Sequence, residues 1–163
     1  MKPWIEITLP EISEILHFAF PIEGRMLVRT ADGLHCLKLV PSVSMHQVMS
    51  VDEIDALDNG DSWGAERSQK LAWDGHQWFL HGADSGDVTL CDLSTGERIE
   101  MAEPNYDVML LKDSKSGATV QQIDFPLAGD DADKFSIAGF SQDEQFLILC
   151  SRDTLRIFCR SES

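Results

Sequence analysis

Residues 16–39 read LHFAFPIEGRMLVRTADGLHCLKL. Apolar segments of strand length are separated here by Glu23-Gly24 and Asp32-Gly33, and Gly and Asp tolerate the positive φ that tight hairpin turns demand. The stretch therefore reads strand, turn, strand, turn, strand. Working outward, the same rhythm covers most of the chain. Strands are expected at Trp4–Leu9, Ile15–Phe20, Met26–Thr30, Leu34–Leu39, Leu71–Asp74, Gln77–Ala83, Val88–Leu93, Arg98–Ala102, Asp107–Lys112, Thr119–Phe125, Phe135–Phe140, Gln145–Cys150 and Thr154–Arg160. Their connections include Asp74-Gly75, Ser94-Thr95-Gly96, Ser114-Lys115-Ser116-Gly117 and Ser141-Gln142-Asp143. Outside 42–68 no window keeps a 3.6-residue period, so the fold class is an all-β antiparallel meander in a single domain.

The exception is the insertion 42–68. Ser50 followed three residues later by Glu53 has the form of a capping box, and Val51, Ile54 and Leu57 fall on one helical face. Asn59-Gly60 would stop such a helix. The expectation is one short helix or an irregular surface insertion near 50–60.

Self-comparison finds the opening pattern again. KLAWDGHQWFLHGADSGDVTLCDLSTGE runs from Lys70 to Glu97, and FSIAGFSQDEQFLILCSRDTLRIFCR from Phe135 to Arg160. Phe20, Trp73 and Phe140 match near the end of the first strand; Leu27, Phe79 and Leu147 match in the second; Cys36, Leu90 and Ile157 match in the third. A partial copy appears when Val88–Ile99 is slid onto Met109–Val120, which brings Asp92 onto Asp113 and Gly96 onto Gly117. The repeat-like units are 15–40, 70–102, 107–125 in part, and 135–160.

These repeats resemble the WD-repeat family of β-propellers over about half the chain. Gly86-Asp87-Val88-Thr89-Leu90-Cys91-Asp92-Leu93-Ser94-Thr95-Gly96 stands where that family often reads DGTVRLWDLxTG. Phe140-Ser141-Gln142-Asp143 stands for FSPDG, and Asp153-Thr154-Leu155-Arg156-Ile157-Phe158 for DGTVRLW. The family's Trp is replaced by Leu37, Cys91 and Phe158, its Gly-His pair is absent, and Asp92 alone remains of its Trp-Asp pair. At about 40–45 residues per blade, 163 residues supply three to four blades, whereas propellers close with about four to eight. Three readings stand: a piece of a larger protein, an incomplete ring completed by a second copy or a partner, and a sandwich with similar hairpins. An uncovered end blade would expose strand edges, which favours association with another chain, a homo-oligomer included.

Composition narrows the partners. There are 28 acidic and 13 basic residues, a net charge of −15, and the charge is concentrated. From Asp52 to Asp113 there are 15 acidic residues against 4 basic ones. Such a chain is repelled by nucleic acid and by anionic lipid, and its field steers basic proteins toward it. The first twenty residues carry Glu6, Glu11 and Glu14, which does not fit a signal peptide, and no apolar run approaches the length of a membrane span. Cys36, Cys91, Cys150 and Cys159 are widely spaced within apolar runs, the pattern of reduced, buried thiols in a cytoplasmic protein.

Catalytic and metal signatures are missing. No nucleophile elbow, phosphate loop, dinucleotide fingerprint or zinc-protease motif occurs. His76 and His81, five apart on a strand, point to opposite faces, and His17, His35 and His46 have no ligand-spaced neighbours. Asp130, Asp131 and Asp133 crowd one loop but lack the spacing of a calcium loop. No metal, cofactor or catalytic residue is therefore assigned.

The function these readings favour is a non-catalytic protein–protein interaction module of β-propeller type, a role that the family resemblance implies. Its candidate partner-binding residues are Asp52, Glu53, Asp55, Asp58, Asp61, Trp63, Glu66, Asp84 and Asp87. Trp63, inside a polar Gly-bearing segment, is either a binding anchor or a staple for its own loop. The alternative is an acidic inhibitor or immunity protein that neutralises a basic toxin or nuclease.

Overall fold

Phe146-Leu147-Ile148-Leu149-Cys150 is apolar at every position, the composition of a strand covered on both faces. The fold is built around it. The computed structural model describes residues 3–12, 14–57, 68–82, 93–94, 96–101, 108–124, 137–150 and 155–160. In order the described elements are β1 (Trp4–Glu6), β2 (Ile15–Phe18), β3 (Arg25–Thr30), β4 (Gly33–Lys38), β5 (Ser44–Met49), α1 (Val51–Leu57), β6 (Gln69–Trp73), β7 (His76–Gly82), β8 (Glu97–Met101), β9 (Val108–Asp113), β10 (Thr119–Asp124), β11 (Ile137–Phe140), β12 (Phe146–Cys150) and β13 (Leu155–Arg160). The architecture is all-β, and every described strand pairing is antiparallel.

Three sheets form. Their strand orders are β1-β13-β12-β11, β10-β9-β8 and β5-β4-β3-β2-β7-β6. Strand β12 shows how they stack. Phe146, Ile148 and Cys150, with Ile157 of β13, pack against Ile15, Phe18, Met26, Val28 and Leu37 of the six-stranded sheet. Leu147 and Leu149 turn the other way, and with Trp4 and Phe158 they meet Leu93, Leu111 and Ile123 of the three-stranded side. The four-stranded sheet is thus the middle layer, and all five β12 residues are buried. Each such Leu or Ile contributes about 1.5–3 kcal/mol relative to leaving it in water.

The six-stranded sheet has a second buried face. Leu27, Leu34 and Cys36 on β3 and β4 meet Leu71, Trp78 and Leu80 on the β6–β7 hairpin, together with Ile54 of α1. Because β7 hydrogen-bonds to β2 through the pairs His17↔Gly82 and Phe18↔His81, this contact requires the sheet to curl over itself. The two hairpin turns that lead into β3 and β7 are alike: Glu23 and Gly24 have φ of 52° and 76°, and Asp74 and Gly75 have 50° and 76°. Two successive positive φ values define the type I′ turn, whose twist matches that of the flanking strands.

The first strand unites the chain's distant parts. β1 lies beside β13 with Trp4 opposite Arg160 and Glu6 opposite Phe158, so the middle sheet combines residues 4–6 with 137–160. The strand ends at Glu6 rather than Leu9; Ile7 still donates its amide to the Ile157 carbonyl at 2.8 Å, and Ile7, Leu9 and Ile12 pack on the core as a connection.

Two further differences from the sequence reading concern the insertion. Its first part, Ser44–Met49, is a strand paired with β4. The helix is present at Val51–Leu57, but Ile54 alone is buried, while Val51 and Leu57 are exposed. Units 15–40 and 135–160 each hold three consecutive antiparallel strands. Phe79, aligned above with Leu27 and Leu147, is 45% exposed while those two are fully buried. The expected strand Val88–Leu93 lies outside the described residues apart from Leu93.

Candidate functional site

The described part of the expected acidic segment is α1. Ser50 and Glu53 close a capping box: the Glu53 amide donates to the Ser50 hydroxyl at 3.2 Å, and the Ser50 amide donates to the Glu53 carboxylate at 3.3 Å. This satisfies two groups that a helix start leaves open. Ile54 then anchors the helix on β4 and β5, which leaves Asp52, Glu53 and Asp55 exposed to solvent. No basic residue occupies the last turn. Glu53 is engaged by the cap, whereas Asp52 and Asp55 have no ion-pair partner among the described residues. Asp58, Asp61, Trp63, Glu66, Asp84 and Asp87 lie outside the described residues, so three of the nine candidate residues are seen together.

Beside this helix lies an open strand. β5 is the edge of the six-stranded sheet, and Ser44, Met45, His46 and Gln47 are all exposed. Gln47 turns inward to donate its side-chain amide to the carbonyls of Asp32 and Met49 at 3.3 and 3.1 Å. Those bonds tie β5 to the β3–β4 turn.

A polar node that sequence reasoning missed lies between the middle and three-stranded sheets. Glu97 of β8 is 1% exposed. Its carboxylate accepts from the Trp4 indole at 3.0 Å and from the Arg160 guanidinium at 2.5 Å. That guanidinium also lies over the Trp4 ring, 4.3 Å from its centroid. Gln121 of β10 completes the node by accepting from the Trp4 amide and donating to the Trp4 carbonyl. The buried carboxylate joins β8 to β1 and β13, and Gln121 adds β10 through the Trp4 backbone. Its components are far apart in sequence, and no local pattern marks them.

Other charged contacts are peripheral. Arg156 grips Glu6 with two hydrogen bonds of 2.8 and 2.7 Å, which hold the Glu6 carboxyl below its usual range. Ser94 donates its hydroxyl and its amide to Glu144, lowering that carboxyl as well, and this clamps the β11–β12 turn to the segment before β8. At the paired I′ turns the side-chain contacts cross over: Arg25 forms an ion pair with Asp74 at 2.5 Å, and His76 approaches Glu23 at 3.7 Å. In the turn Phe140-Ser141-Gln142-Asp143, the Ser141 hydroxyl donates to Asp143 and accepts from the Phe146 amide.

His76 contacts Trp78 and His81 contacts Phe79, on opposite faces of β7 as the spacing required. His35 is held below the usual imidazole range by burial. Cys36, Cys150 and Cys159 are free thiols, and burial pushes Cys36 and Cys150 up. Among the described residues no three His, Cys, Asp or Glu side chains gather as a metal site; the loop with Asp130, Asp131 and Asp133 is outside them. No helix among the described residues is long and apolar enough to cross a membrane. The sequence matches no protein-family model and no curated protein.

Proposed function

We propose that this protein is a non-catalytic protein–protein interaction module of β-propeller type that offers an acidic surface to a basic partner. The observation that carries the reading is α1: three exposed carboxylates, none of them in an ion pair among the described residues, on a helix with no basic residue. Asp52 and Asp55 stand in solvent and keep their field for an incoming cation, while Glu53 also caps the helix. The propeller reading draws support from face-to-face stacking of antiparallel sheets and from β1, which completes a sheet made by the last described strands. A reduced compartment such as the cytoplasm suits the free thiols.

The test is a pull-down with the full chain beside an Asp52→Asn, Glu53→Gln, Asp55→Asn variant. Gln preserves the capping box, so the helix stays intact. A basic protein retained by the parent and lost by the variant, with affinity falling steeply as salt rises, supports the reading. Equal retention of each partner by both proteins overturns it.

A further inference from the structure

Sheet edges in natural proteins are shortened, charged or interrupted by proline, because their unpaired backbone groups invite another strand. Most described edges here follow that practice. β1 has three residues and carries Glu6; β11 has four; β6 carries Lys70; β8 carries Glu97, Arg98 and Glu100; β10 ends in Asp124. β5 does not. It runs for six residues, Ser-Met-His-Gln-Val-Met, with no Lys, Arg, Asp, Glu or Pro. It pairs with β4 on one side, and no described strand lies on the other.

This edge leads directly into negative charge. Met49 is followed by the cap residue Ser50 and then by the exposed Asp52, Glu53 and Asp55. We propose that β5 is a strand-addition site for an extended segment of a partner protein, about as long as β5 itself and preceded by lysines or arginines. Every described pairing in the fold is antiparallel, and an antiparallel addition sets the N-terminal end of the incoming segment beside Met49 and α1. Backbone hydrogen bonds along β5 supply the affinity, and the carboxylates choose the direction and the partner. A second copy of the chain fits the site poorly, because it brings the same charge of −15. The inference rests on the reading of α1 as part of an acidic docking surface, and adds the mode of binding.

Three end-blocked peptides test it against the 15N-labelled full chain. The first is Lys-Arg-Lys-Val-Thr-Val-Thr-Val. The second has Glu at the three basic positions. The third is basic but N-methylated at alternate strand amides, so it carries the charge and cannot pair. The first peptide is expected to slow amide exchange within Ser44–Met49, and the other two to bind at least tenfold more weakly. An Asp52→Asn, Asp55→Asn chain is expected to bind the first peptide about three- to tenfold more weakly, the effect of two exposed ion pairs.

Equal binding by the methylated peptide overturns strand addition but leaves the acidic surface standing, since charge alone would then suffice. Equal binding by the Glu peptide overturns both. Absence of slowing at β5, slowing at β6 or β8 instead, or a dimer of the free chain that already protects β5 each overturns strand addition.

Discussion

Replacing Glu97 by Ala removes the acceptor of one buried and one part-buried donor at once. The Trp4 indole loses its bond at 3.0 Å, and the Arg160 guanidinium, whose side chain is 16% exposed, loses its carboxylate at 2.5 Å. Breaking one partner of a buried ion pair costs about 3–5 kcal/mol, and because Arg160 keeps some access to water the lower end applies, about 3 kcal/mol. With a urea m-value of about 2 kcal/mol/M, the unfolding midpoint should fall by about 1.5 M, read from tryptophan fluorescence. That is a large share of the stability of roughly 5–15 kcal/mol typical of a domain. The Glu97→Met, Arg160→Met double variant supplies the control. It replaces both charges by apolar groups of similar length, and such exchanges are often close to neutral. It should therefore be more stable than the Glu97→Ala single variant. A midpoint shift below about 0.3 M for Glu97→Ala, or a double variant whose loss equals the sum of the two single losses, would refute the role given to this node.

Further outcomes follow from the turns, the surface pair and the thiols. At Gly75 an added Cβ meets nothing within 4 Å, whereas at Gly33 it would stand 2.5 Å from the Met49 carbonyl of β5. Gly75→Ala should thus cost only the left-handed backbone, about 1–2 kcal/mol, and Gly33→Ala clearly more; equal losses in urea unfolding would contradict the packing of β4 on β5. Glu6 has a carboxyl depressed by Arg156, so its contribution is present above the unfolded pKa and is lost as pH falls through the folded value. The parent minus Arg156→Met stability difference should shrink as pH is lowered past the ordinary carboxylate value, and a difference that grows instead would show the sign to be wrong. Burial raises the Cys150 thiol, so iodoacetamide at pH 8 should label Cys159 well before Cys150 in the native protein, as mass spectrometry of peptides would report. Equal rates would place Cys150 at the surface.

The strands legible in the sequence are those whose environment leaves a mark. β12 is apolar throughout because it has a sheet on each side, and β3 keeps Met26, Leu27 and Val28 together for the same reason. The I′ turns announce themselves through Glu23-Gly24 and Asp74-Gly75. The helix start was readable because Ser50 and Glu53 act locally. β5 was not readable: a strand exposed on both faces has no need of alternation, and Ser44-Met45-His46-Gln47 shows none. At α1 the spacing of Val51, Ile54 and Leu57 marked the helix, and the fold buries that face at Ile54, leaving Val51 and Leu57 exposed. For the candidate site, the charge on α1 was plain, but whether Asp52 and Asp55 are paired is a tertiary fact. The Glu97 node was out of reach, since Trp4 lies 93 residues and Arg160 63 residues away from it.

The pairing of β1 with β13 bears on how the chain is made. On the ribosome the residues of β1 emerge well before those of β13, the strand they pair with. Until residues 137–160 have been synthesised, the six-stranded and three-stranded sheets each hold an apolar face with no middle layer to receive it. Burial of Met26, Val28, Leu111 and Ile123 is then deferred until β12 and β13 have been made, when one sheet covers both faces together. Such late, long-range closure is slow and leaves nascent chains dependent on shielding from aggregation. Ribosome-bound chains stalled before β11 should be more open to protease at β3, β9 and β10 than chains in which β13 has cleared the exit tunnel, while the cluster around Trp78, complete without β11–β13, is protected in both.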